Sequence, residues 1–227
     1  MGGTFFRVSF ICLLCLLTGL RVFYKLRAGF LRERIYSREE NITFIVFRSI
    51  LGVPLLWAVF AYAFAPSRFG WMYVSLPVWL RVPGVVLGAG AIALLFWVHQ
   101  ALGKNFSTSL APRKNQTMVE SGPYAWVRHP MYSAYFTLFL SVFLISSNWL
   151  AGSTGLAIIL MLMTVRRIRE ESLLVERFGE RYRRYRQAAG MFLPRLSSLV
   201  PGAARADVRA EKAATNRFGV SAGSDGP

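Results

Sequence analysis

Long apolar blocks alternate with short basic segments along this chain, and the length of the blocks is the first structural signal. A helix needs about 20 apolar residues to cross the hydrocarbon core of a bilayer. Five stretches meet or approach that length: residues 5–24, 42–65, 78–102, 131–147 and 150–165. The last two are short and are separated only by Asn148-Trp149, a pattern that predicts a helical hairpin reaching across and returning at once. Arg7 and Arg21 stand near opposite ends of the first stretch, where long side chains can snorkel to the interfaces. Arg48 interrupts the second stretch and either snorkels or faces the bundle. The first stretch reads as a retained anchor and not a cleaved signal peptide, because no small-residue cleavage site comes before the basic residues that follow it. The expected fold is all-α and membrane-integral, with about five transmembrane helices and a charged, amphipathic cytosolic helix after the fifth.

Charge adds an orientation. Of the 27 Lys and Arg residues, 22 fall in residues 25–38, 103–130 and 166–227, so the basic segments alternate with nearly uncharged ones. Such an excess marks the cytosolic side of a membrane protein. The multi-pass chain is therefore expected to have its N-terminus outside and its C-terminus inside, with both long polar segments on one inner face. The net charge of +16 then becomes an orientation signal and an attraction to an anionic leaflet. It is not a nucleic-acid surface, because apolar blocks divide it. With 54% apolar and 17% charged residues, against about 25% charged in soluble domains, a soluble or disordered chain is excluded. Three parts are expected: helices in 1–102, a functional core in 103–195 and a disordered tail in 196–227.

Several conspicuous residues have plain readings. Cys12 and Cys15 have the spacing of a redox pair but sit on an apolar helix with no His or acidic neighbour, so no metal or redox site is expected. Gly84, Gly88 and Gly90 suit close helix packing. His99 ends the third stretch as a satisfied interfacial residue.

Two polar segments carry more information. Residues 166–187 form a charged helix on which Leu174, Phe178, Tyr182 and Tyr185 share one face. Arg166 with Glu170 and Arg167 with Glu171 have i,i+4 spacing. Carboxylates where a span leaves the bilayer are costly unless paired or bound, so Glu170 is either an ordinary ion-pair partner or a ligand. The other segment runs Ser121-Gly122-Pro123-Tyr124-Ala125-Trp126-Val127-Arg128-His129-Pro130-Met131-Tyr132. Gly-Pro makes a turn, and Pro130 suits the first position of a helix. Arg128 and His129 would then stand at a helix N-terminus, which attracts anions. The alternative is a basic-aromatic interfacial belt with Tyr124, Trp126 and Tyr132.

Taken together, these segments resemble the isoprenylcysteine carboxyl methyltransferase family. The likeness rests on Ser-Gly-Pro-Tyr at 121–124, Arg-His-Pro-Met-Tyr at 128–132, Arg166, Glu170, Glu171, Phe178-Gly179, Tyr182, Tyr185 and Leu193-Pro194, and covers about 103–194. It implies a membrane methyltransferase using S-adenosylmethionine on the cytosolic side. By resemblance, the cofactor would contact Tyr124, His129, Pro130, Met131 and Tyr132, with Gln116, Thr117, Met118 and Val119 on one side and Glu170 on the other. Glu171 joins them by analogy with phospholipid N-methyltransferases. Arg166 resembles the substrate-contacting arginine, and Arg128 a partner for a substrate or cofactor carboxylate. Eukaryotic members offer a cofactor-contacting Gln after Asn-Phe; here a shorter loop brings Ala111 or Pro112 there.

The chemistry of the residues is consistent with that expectation. Arg128 and His129 suit the cofactor's carboxylate, the glutamates its ammonium or hydroxyls, and the tyrosines its adenine or sulfonium. Methyl transfer from a sulfonium needs positioning more than acid–base groups, so a missing metal cluster or catalytic triad is no objection. The acceptor is expected to be lipophilic and to enter from the bilayer, most simply as the carboxylate of a prenylated cysteine. Alternatives are N-methylation of phospholipid headgroups, an NADPH-dependent sterol-type reductase using the arginines at 166–169, and a non-enzymatic anchor.

Overall fold

The structure is a computed structural model and describes residues 2–27, 42–103 and 117–195. The expected basic segment from residue 28 to 38, Arg48's side chain, the loop with Ala111 and Pro112, Gln116 and the expected disordered tail lie outside the described residues. Seven α-helices are described: α1 Gly2–Arg27, α2 Ile42–Phe64, α3 Val78–Leu102, α4 Pro130–Ser146, α5 Trp149–Met161, α6 Arg167–Phe178 and α7 Glu180–Ala188. Among the described residues there is no strand beyond two isolated bridges.

Three helical stretches are long and apolar enough to cross a membrane: Gly3–Arg27, Val78–Leu102 and Trp149–Phe178. The other two expected spans correspond to shorter apolar helices, Ser49–Phe64 and Pro130–Ser146. In line with a charged helix continuing the fifth stretch, the chain stays helical past residue 165 and runs through a π turn at Leu162–Arg166 directly into α6. Large apolar side chains such as Leu56, Phe60, Phe64, Val86 and Phe23 are exposed on the outsides of the helices. Backbone groups paired within helices and apolar side chains turned outward are what a hydrocarbon surround demands.

The bundle is organised around α4, which packs on α3, α5 and α1. Two buried clusters fill the interior. Phe6, Phe10, Tyr62 and Ile145 meet at one end, and Ala91, Leu95, Ala134 and Leu138 at the other. Close approach of α3 and α4 depends on missing side chains: a Cβ on Gly84 would lie 2.7 Å from that of Leu144. Gly88 faces Ser141 and Leu13 equally tightly, whereas Gly90 faces open space and takes no part. Ser141 uses the gap to donate to the Gly84 carbonyl at 2.7 Å. Ser147 and Asn148 join α4 to α5, and Asn148 caps α5 by accepting from the Ala151 N–H at 3.0 Å.

The helix expected over 166–187 is broken. Gly179 adopts φ 54°, ψ −127°, a conformation open to glycine and strained for other residues. Tyr182 and Tyr185 therefore ride on a separate helix, α7, and do not extend the face carried by Leu174 and Phe178. The break folds α7 back over the segment that leads into α4.

Candidate active site

The site forms where α4 begins, because three segments distant in sequence are tied there. Gly122–Ala125 makes a tight helical turn, and Pro130 opens α4 as the sequence predicts. Between them, Val127 forms a parallel bridge with Gly190. The Arg128 N–H donates to the Gly190 carbonyl at 2.8 Å and the His129 N–H to Met191 at 3.1 Å, while the Gly190 N–H returns a bond to Trp126 at 2.9 Å. Ser133, one turn into α4, donates to the Phe192 carbonyl at 2.6 Å. Residues 189–193 thus form a strap across the entrance to α4. A Cβ on Gly190 would collide with the Leu193 carbonyl, so only glycine fits.

The two adjacent glutamates have different surroundings. Successive residues of a helix point about 100° apart. Glu171 is 7% exposed and turns into the protein, where its Oε1 lies 3.0 Å from His129 Nε2 and 3.8 Å from Arg128 Nη2. Arg167 approaches its other oxygen at 3.8 Å, at the i,i+4 spacing read from the sequence. Glu170 is half-buried and accepts from the Tyr132 hydroxyl at 2.8 Å. The His129 ring stacks on that of Tyr132 at 5.5 Å.

This arrangement revises the expectation that Arg128 and His129 stand ready for an anion. Both are buried, both face Glu171, and their backbone N–H groups are taken by the strap. Arg128 also donates to the Arg186 carbonyl of α7 at 3.2 Å. Its Nε, like the hydroxyl of buried Tyr182, is buried without a hydrogen-bond partner among the described residues. Burial raises the Tyr182 phenol well above its ordinary value, with the Glu171 charge adding and that of Arg128 opposing.

Tyr124 is held by its own carbonyl, which accepts from the Tyr185 hydroxyl at 2.7 Å. Burial, and then the charge of Glu170, holds the Tyr124 phenol well above its ordinary value, so it remains a neutral hydroxyl. Met118 and Val119 are half-buried and Thr117 exposed beside Glu120, whose carboxylate pairs with Arg181 of α7 at 2.8 Å. Arg166 closes the π turn and leads directly into α6. Pro130 is buried, and Met131 packs beside the cluster of Leu95 and Leu138. The sequence reading missed Ser133, Gly190 and the Arg186 carbonyl; Leu193-Pro194 was the one sign that the strap mattered. Among the described residues no cluster of His, Cys, Asp and Glu could hold a metal ion.

Residues 84–176 match the family model of the isoprenylcysteine carboxyl methyltransferase family. The chain is 28% identical over 133 residues to a human protein-S-isoprenylcysteine O-methyltransferase, covering 58% of this chain and 47% of that protein. A Schizosaccharomyces pombe protein of the same name is 30% identical over 94 residues, 40% of each chain. A methanethiol S-methyltransferase from Pseudomonas deceptionensis is 28% identical over 174 residues, 69% of this chain and 60% of that one. The chain thus spans about half the length of the curated relatives it matches. A solved structure described as the eukaryotic intramembrane Ras methyltransferase isoprenylcysteine carboxyl methyltransferase has a TM-score of 0.51 with this one. It covers 85% of this chain and 71% of that chain at 21% identity, a likeness of fold.

Proposed function

We propose that this chain, whose residues 84–176 match the isoprenylcysteine carboxyl methyltransferase family model, transfers a methyl group from S-adenosylmethionine to a lipophilic acceptor held at the membrane, most simply the carboxylate of a prenylated cysteine. The observation that carries this reading is the Tyr132–Glu170 pair at 2.8 Å, placed beside the stacked ring of His129. It sets a half-buried carboxylate among aromatic faces, a donor set suited to a ligand that is cationic at one end and aromatic at the other.

The residues fit the cofactor. Glu170 would take its ammonium or ribose hydroxyls, and Tyr124 and Tyr132 would pack on its adenine or sulfonium, with Thr117, Met118, Val119 and Gln116 along one side. The unpartnered Nε of Arg128 and hydroxyl of Tyr182 offer buried donors beside this set. Pro130 would shape the floor, while Met131 packs away from it on the cluster of Leu95 and Leu138. Glu171 acts one step back, fixing His129 and Arg128. When bound, the cofactor supplies a methyl group carried on a positively charged sulfur. The protein's share is to orient, to exclude water and to balance the acceptor's charge, for which Arg166 would be the cation.

The wider layout follows the same reading. Five helices would span or enter the bilayer, with α4 and α5 as a hairpin, the N-terminus outside and the site and C-terminus on the cytosolic face. Residues 1–102 would form the membrane scaffold, 103–195 the methyltransferase core and 196–227 a tail.

Similarity to the methanethiol S-methyltransferase favours a second reading, in which the acceptor is a thiol. Membranes containing the protein, given methyl-labelled S-adenosylmethionine and an acetylated S-farnesylcysteine, separate the two. Label released by alkali reports an ester and supports the carboxylate acceptor. Alkali-stable label on an added alkanethiol supports the second, and no transfer to either overturns both.

A further inference from the structure

None of the chain's six tryptophans fills the interior; each is at least 42% exposed. Exposed indoles on an apolar bundle belong where hydrocarbon meets headgroups, because the ring is apolar and its N–H polar. Their placement along α3 follows that rule. Trp79, Val82, Val86, Ala93 and Trp97 are exposed at steps of three, four, seven and four residues, so they form one stripe on one helix face. Trp79 and Trp97 stand 18 residues apart. That is about five turns and about 27 Å of rise, close to the roughly 30 Å of a hydrocarbon core. At the Trp79 end, Trp57, Trp71 and Trp149 gather, with ring centroids 6.0 and 6.1 Å apart.

At the other end a residue from a different segment joins the stripe. Trp126 lies edge-on to Trp97, with centroids 5.6 Å apart and planes at 71°. The turn at Gly122–Ala125 brings it there. Gly122 has φ 61°, and a Cβ on it would stand 3.1 Å from the Ala101 Cβ and 3.3 Å from Trp97 Nε1. The bare glycine lets the turn lie flush on the last turns of α3. The aromatic residues of this segment thus separate: Tyr132 turns to Glu170 and the Tyr124 carbonyl is held by Tyr185, whereas Trp126 faces outward. The interfacial belt and the ligand site, alternatives in the sequence, fall to different residues. Trp126 also accepts from the Gly190 N–H at 2.9 Å, so the outward ring and the strap share one peptide.

We propose that Trp97 and Trp126 form one docking surface for the glycerol and headgroup layer of a phospholipid bilayer, and that it seats the segment leading into α4 at the membrane surface. The stripe identifies the occupant. A surface continuous with the exposed apolar face of α3, and one core thickness from the tryptophans at the other end, meets lipid and not a soluble protein. No cofactor or acceptor takes part in this contact.

The test uses the full chain reconstituted in phosphatidylcholine vesicles and reads tryptophan emission. The component belonging to each residue is the difference between wild type and Trp97→Phe or Trp126→Phe. Each is measured with lipid brominated just below the glycerol, with lipid brominated at mid-chain, and with aqueous iodide. Both components should lose most of their intensity to the shallow bromine, and little to the mid-chain bromine or to iodide. Loss to iodide alone would show a water-facing pair, and loss to no quencher would show one covered by a second copy; either overturns the proposal. Gly122→Val tests the seat itself, with Gly122→Val/Trp126→Phe giving its Trp126 component. That component should become open to iodide while the Trp97 component stays with the shallow bromine. A Trp126 still quenched from the lipid would show that the turn's fit on α3 does not place it. Should Trp126→Phe fail to fold, Trp126→Tyr supplies the same difference.

Discussion

Tyr132 and Glu170 stand 38 residues apart and meet through a 2.8 Å hydrogen bond that joins the first turn of α4 to the helix leaving the last apolar stretch. One residue further on, Glu171 faces away from this contact and anchors His129 at 3.0 Å. Two neighbouring carboxylates thus have different surroundings, one half-buried and held by a phenol and one buried in the frame.

That division gives opposite expectations for stability. Removing Glu171 strands buried Arg128 without its counter-charge, and such a break typically costs about 3–5 kcal/mol. Removing Glu170 leaves only a phenol unpaired, at about 1 kcal/mol. Unfolding in mixed micelles should therefore show Glu171→Ala far less stable than Glu170→Ala. Equal losses would mean that the two side chains are equivalent.

The strap makes a second expectation. Gly190 admits no side chain because a Cβ would meet the Leu193 carbonyl, and Gly190 holds both Arg128 and Trp126 through backbone bonds. Gly190→Val should release residues 189–193 and expose the peptide at Arg186, whose carbonyl Arg128 otherwise holds. Limited trypsin digestion reads this as faster cleavage at Arg186 with the bundle intact. An unchanged digestion pattern would show the strap to be indifferent to Gly190.

The π turn at Leu162–Arg166 sets the direction of everything after it. Such turns carry one extra residue and occur often at functional sites. Because the turn already holds one extra residue, deleting Val165 should leave a regular helix with Arg166 and Glu170 nearly where they are and S-adenosylmethionine binding retained, whereas an alanine inserted after Val165 should swing both by about 100° away from Tyr132. Circular dichroism should show helix content persisting in both variants while only the insertion loses binding. Binding that survives the insertion would show that the turn does not aim these residues.

How much of this was legible follows from the range of each interaction. The entry to α4 was legible because Gly122-Pro123 and Pro130 act locally, through turn geometry and a missing N–H. The long apolar helices were legible from length alone, as were the shortness of α4 and the continuation of α5 into α6, whereas the π turn between those two was not. The break at Gly179 was hidden because Phe178, Tyr182 and Tyr185 keep helical spacing across it, and one glycine in such a pattern need not stop a helix. The separate roles of Glu170 and Glu171 were invisible, since they depend on which way α6 is turned when it reaches α4. The strap was hidden too: its bridge joins Val127 to Gly190 with no periodicity to announce it.

The central claim is that S-adenosylmethionine binds between the segment leading into α4 and the helix leaving α5, with Glu170 as a direct contact. Calorimetric titration of the purified protein with S-adenosylmethionine tests it most directly. The account predicts saturable binding to wild type and at least about a tenfold loss in Glu170→Ala, the size expected for a charge-assisted contact. Undiminished affinity in Glu170→Ala, or no binding to the wild-type protein, would contradict it.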